Sequence, residues 1–180
     1  MRSSELAPLR ALGAERSQFV RQRRRDGYVF GVRREQPLAL LGEIDAGTWR
    51  ATLQLSDVAI EFGPMDRDGT DFAARAGVAE LAHYRRHREL GGGRLVTVDG
   101  WAARLLPARW WRWHWAVKAG GKELAHVVSL PTRQRRLSWT WHVEESRRSP
   151  LVLAMACYAI LVDDMVTKAA PPTFSGLPIG

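Results

Sequence analysis

One stretch of this 180-residue chain limits the fold more than any other: the twelve-residue apolar run Leu151–Val162, LVLAMACYAILV. Ser149-Pro150 precedes it, a cap followed by proline at the first helical position, where its missing N–H costs nothing. Asp163-Asp164 follow it, and Pro171-Pro172 ends the pattern. The signals predict a helix over 150–167. A helix apolar on every side belongs inside something. The run is also shorter than the roughly 20 residues that cross a bilayer. The rest of the chain therefore has to wrap it.

What precedes it reads as short antiparallel strands. Tyr28–Arg34 and Leu38–Ile44 are strand candidates split at Gln36-Pro37. In Trp49–Phe62 the apolar parity runs Trp49, Ala51, Leu53, Leu55 and then flips to Val58, Ile60, Phe62. Such a flip predicts a β-bulge near Ser56-Asp57. Asp71–Leu90 is alanine-rich and stops at Gly91-Gly92-Gly93, which predicts a helical insert over 71–90. Asp99-Gly100 and Gly120-Gly121 are two-residue hairpin signals. The first would pair Val98 with Trp101 and Val96 with Ala103. The second would pair Lys118 with Glu123, Val117 with Leu124, Trp115 with His126 and Trp113 with Val128. Leu137, Trp139, Trp141 and Val143 continue the alternation, so most indoles face a core.

The expected architecture is mainly β with helices (α+β): an antiparallel β-barrel or strongly curved meander enclosing the C-terminal helix. Residues 1–27 form a basic N-terminal helix or arm, 28–168 one barrel domain, and 169–180 a tail. A single cysteine, Cys157, leaves no internal disulfide. No secretory-type leader is apparent, which fits a cytoplasmic protein.

Charge supplies the candidate partner surface. The chain is net +8, and only three of its 27 basic residues are lysines. Residues 1–35 are net +5, 36–80 net −5 and 91–142 net +7. Three arginine clusters stand out: Arg21, Arg23, Arg24 and Arg25; Arg85, Arg86 and Arg88; Arg133, Arg135 and Arg136. They are candidate contacts for an acidic partner. His126, opposite Trp115 and in one register near Trp139, outlines a candidate small-ligand pocket. The alternative is a hydrogen-bonded core histidine. His83 and His87 have a helical metal-ligand spacing but arginine flanks, and Asp163-Asp164 diverge on a helix, so no metal or cofactor is assigned.

The early hairpins Tyr28–Gly42 and Thr48–Phe62, the Trp-rich Trp110–Val143 meander and the final helix Ser149–Asp163 together resemble the tubby-like barrel group. That group includes the LURP-one-related proteins and the phospholipid scramblases. The resemblance implies a barrel threaded by its last helix, and association with anionic lipid headgroups. Three functions follow as expectations. The favoured one is a non-enzymatic interaction module meeting anionic lipid or an acidic protein through its arginines. The second is a nucleic-acid binder using arginines beside exposed Trp. The third is a small-ligand barrel with a pocket at His126.

Overall fold

The computed structural model describes residues 17–21, 28–32, 39–42, 44–45, 47–55, 58–87, 91–108, 114–130, 136–141 and 149–169. Twelve strands and one helix lie in them: β1 (Ser17–Arg21), β2 (Tyr28–Val32), β3 (Ala39–Leu41), β4 (Ala51–Leu55), β5 (Val58–Pro64), β6 (Asp71–Ala76), β7 (Ala79–Arg86), β8 (Gly93–Thr97), β9 (Ala102–Pro107), β10 (His114–Ala119), β11 (Lys122–Leu130), β12 (Arg136–Trp141) and α1 (Ser149–Ala169). The fold is mainly antiparallel β with one helix. Each strand pairs with its neighbours in sequence, and β1 pairs with both β2 and β12.

The helix forms where the apolar run required it. Ala154–Val162 are each at most 2 % exposed, nine consecutive residues covering every side of α1. Polar ties help to hold it. The Tyr158 hydroxyl donates to the Trp49 carbonyl, and Arg86 pairs with Asp163 where the helix begins to meet solvent. Apolar packing does the rest: the Tyr158 ring stacks on Phe62 at 5.0 Å and meets Phe72 edge-on at 5.9 Å. Trp49 holds a left-handed backbone, φ 54°, uncommon for a bulky side chain. Asp45 secures that turn, accepting from the Gly47 and Thr48 N–H groups through its carboxylate and from the Trp49 N–H through its carbonyl. These hydrogen bonds hold the Asp45 carboxyl below the usual carboxylate range.

Several expectations are corrected. The helix expected over 71–90 is not formed in its described part, 71–87: β6 and β7 form a hairpin turning at Gly77-Val78, with Phe72 opposite Tyr84 and Ala74 opposite Ala82. Alanine on both faces hid the period of two, and Asp71 begins a strand. Ser17–Arg21 is a strand rather than part of a helix, so the sheet begins before residue 28; the rest of the predicted 1–27 arm lies outside the described residues. The parity flip in Trp49–Phe62 is a hairpin rather than a bulge. Leu55 pairs with Val58, and a two-residue turn also moves the inward positions from odd to even.

Two registers also differ. Thr97 and Trp101 close a three-residue loop in which the Gly100 N–H donates to the Thr97 carbonyl and Gly100 has φ 83°. Leu95 therefore pairs with Ala103 and Val96 with Ala102, and Val98 is 76 % exposed. The Gly120-Gly121 turn is as expected: Ala119 pairs with Lys122 and Lys118 with Glu123. A register shift between Val117 and Lys118 then places Val117 opposite Ala125 and Trp115 opposite Val127. The predicted helix over 150–167 is present as Ser149–Ala169.

Candidate functional site

The register shift decides the fate of the His126 pocket. Trp115, Val117, Ala125 and Val127 form the buried face of β10 and β11. His126 is opposite Ala116, on the other face from Trp115, and pairs across β12 with Thr140 rather than Trp139. Its Nε2 lies 3.1 Å from Nδ1 of His114, and the two rings stack at 5.2 Å. Trp115 and His126 therefore do not line one cavity, and the Trp139 side chain is outside the described residues.

The arginine candidates divide sharply. Arg23, Arg24, Arg25, Arg88, Arg133 and Arg135 lie outside the described residues. Arg21 and Arg136 end β1 and begin β12, and only their backbones are described. Arg85 and Arg86 are consecutive on β7 and point to opposite faces, as strand geometry demands. Arg86 turns inward to Asp163, Nε to Oδ1 2.7 Å, with side chains only 15 % and 14 % exposed. Arg85 turns outward and grips Asp71 with two bonds, 2.8 and 3.0 Å.

That outward position belongs to a longer row that the sequence did not reveal. The cross-strand partners run Asp71–Arg85, Arg85–Arg94, Arg94–Arg104, Arg104–Lys118 and Lys118–Glu123. One line across the outer face thus carries four cations on β7, β8, β9 and β10, with an acid at each end. Arg85, Arg94 and Arg104 are exposed and Lys118 is half-buried. Of these four cations Arg85 is held in an ion pair, with Asp71. Strands lie about 4.8 Å apart, so the row is about 14 Å long. Like charges directly opposite on a sheet destabilise it. Folding alone gives no reason for four in succession.

A second outer row is built differently. Thr52 pairs with Glu61, Glu61 with Arg75, and Arg75 with Glu80, so the charges alternate. Beside it a groove of about 230 Å³ is lined by Arg50, Thr52, Glu61, Gly63 and Arg75, among others. Its cations and its carboxylate share one small space, so it has little net attraction for either sign.

On the inner face, near Asp163, the Tyr84 hydroxyl and Trp115 Nε1 are buried without a hydrogen-bond partner among the described residues. Burial, with a contribution from the Asp163 charge, pushes the Tyr84 hydroxyl far above its ordinary pKa. Burial likewise pushes up the Cys157 thiol, which is inert packing rather than a nucleophile. Among the described residues no group of three His, Cys, Asp or Glu side chains could hold a metal ion, and no helix is long and apolar enough to cross a membrane.

No family model, curated protein or solved structure matches the chain.

Proposed function

We propose that this protein is an interaction module that holds an acidic partner on the cation row of β7–β10. The observation that carries the reading is the line of cross-strand neighbours Arg85–Arg94–Arg104–Lys118, four cations in succession of which Arg85 is paired with Asp71. A sheet bears the repulsion of such a line when an anionic ligand removes it. The Arg85–Asp71 pair illustrates the chemistry, since guanidinium groups take carboxylates in two parallel bonds. Arg86 is withdrawn from that role and Arg94, Arg104 and Lys118 enter it.

In this reading the sheet is a barrel closed around α1, supported by the pairing of β1 with β2 and β12 and by the burial of α1 on all sides. A filled barrel works through its wall rather than its interior. The order of strands and last helix keeps the tubby-like resemblance and a cytoplasmic site of action as parts of the same proposal, with anionic lipid as one source of acidic groups. The test is retention on immobilised poly-L-glutamate and flotation with phosphatidylserine vesicles against neutral phosphatidylcholine vesicles. Binding to an acidic probe that weakens with salt, and is lost in Arg94→Glu/Arg104→Glu, supports the proposal. Binding unchanged by that double variant, or no binding to either acidic probe, removes it.

A further inference from the structure

The spacing of the row narrows the kind of partner, on the premise that the row is the binding face. We infer that its ligand is an acidic helix of another protein, with carboxylates at i, i+4, i+7 and i+11 along one side.

Three observations lead there. First, the row is a line and not a disc. Four cations occupy one position on each of four successive strands, while beyond β7 the parallel row alternates in sign through Glu61, Arg75 and Glu80. A flat anionic surface would be met better by cations spread in two dimensions. Second, side chains opposite one another on neighbouring strands stand about 4.5–5.5 Å apart at Cβ. Residues three and four apart on a helix face stand about 5–6 Å apart. Alternate residues of an extended peptide repeat at about 6.7 Å, which falls out of step over four cations. Four acids at i to i+11 span about 16 Å of helix against a row of about 14 Å. Third, small apolar positions flank the cations on the same face. Val96 and Ala102 lie on one side, Leu106 and Ala116 on the other. Val96, Ala102 and Leu106 are half-buried and offer rests for the apolar residues that border the acidic stripe of such a helix, whereas Ala116 is buried. Single-stranded nucleic acid, the competing linear polyanion, gains much of its affinity from aromatic stacking. None of those four flanking residues is aromatic.

Helical peptides test this with the full-length protein. One carries four glutamates at i, i+4, i+7 and i+11. A second has identical composition with the glutamates distributed around the helix, and a third is extended with glutamates at alternate positions. A thymidine oligonucleotide and phosphatidylserine vesicles complete the set. The expected result is that the first peptide binds at least about tenfold more tightly than the other two, a ratio worth measuring because tenfold is one clear step in affinity. Arg94→Gln/Arg104→Gln should abolish that preference without lowering the thermal unfolding midpoint, since it removes like-charge pairs. Equal affinity for all three peptides, or tighter binding of the oligonucleotide or the vesicles through the same arginines, overturns the helix inference and leaves the acidic-partner reading standing. Failure of every acidic probe overturns both.

Discussion

Arg85 and Arg86 are neighbours on β7, and each belongs to a different electrostatic region. Arg86 points at the end of α1, where Asp163 neutralises it at 2.7 Å in a setting closed to most solvent. Arg85 points out, is 69 % exposed, and starts a row in which three further cations follow. The inner pair compensates a charge that the fold itself buries. The outer row carries its cations where water can solvate them, with Asp71 pairing Arg85 at one end. The difference separates a cation neutralised within the fold from cations left on its outer surface, a division the arginine cluster in sequence conceals.

The comparison breaks first if the inner pair is dispensable. Removing one member of a buried pair strands the other, at a cost of about 3–5 kcal/mol. Arg86→Met should therefore lower stability by about that amount in chemical denaturation, whereas Arg85→Met should change it by less than about 1 kcal/mol, as exposed pairs do. The double variant Arg86→Met/Asp163→Leu should recover most of the loss, because two apolar side chains can replace a buried pair. Equal effects of Arg85→Met and Arg86→Met would erase the distinction.

A smaller loss is expected from the backbone that lets β7 and β8 meet there. Gly92 has φ 68°, and a Cβ on it would overlap the Leu105 carbonyl. Gly92→Ala should cost at least roughly 1–3 kcal/mol from the strained backbone conformation. Gly100, also left-handed but with open space around its would-be Cβ, should lose less as Gly100→Ala. Reversal of that order in urea melts would mean that the close approach at Gly92 is relieved elsewhere.

The Tyr84 hydroxyl gives the next step down, with opposite sign. It is buried, has no hydrogen-bond partner among the described residues, and stands near Asp163 and Arg86. An unsatisfied buried polar group costs about 1–3 kcal/mol, so Tyr84→Phe should leave stability unchanged or raise it within that range. A clear loss would show that the hydroxyl is bound by water in solution.

How legible these regions were depends on how far each signal reaches along the chain. The helix was readable because its evidence is local: one run apolar on every face, a Ser-Pro start and an acidic exit. The Lys118–Glu123 pair was readable from the Gly120-Gly121 turn beside it. The β6–β7 hairpin was not, since Ala73, Ala74 and Ala76 carry no face preference and Gly77-Val78 lacks the second glycine or asparagine of a stronger turn signal. His126 was misplaced by a one-residue shift at Val117 and Lys118, which reverses every later side chain on β11. The cation row was the least legible of all. It needs the registers of three strand pairs at once, and the three-residue loop at Val98–Gly100 displaces one of them.

Arg104 gives the finest discrimination, because stability and binding should move apart. It faces Arg94 on one side and Lys118 on the other, so Arg104→Glu converts two like-charge pairs into opposite-charge pairs. Each opposite-charge cross-strand pair contributes roughly 0.2–1 kcal/mol, which raises the unfolding midpoint by a few degrees at most for a chain of this size. The gain should shrink in high salt, which screens exposed charges. Retention on poly-L-glutamate should fall in the same variant. Arg75→Glu in the alternating row makes the reverse change, placing three acids in line through Glu61 and Glu80, and should lower the midpoint while leaving retention unaltered. A row kept for folding would lose stability on Arg104→Glu; a row kept for a partner gains it and loses the partner.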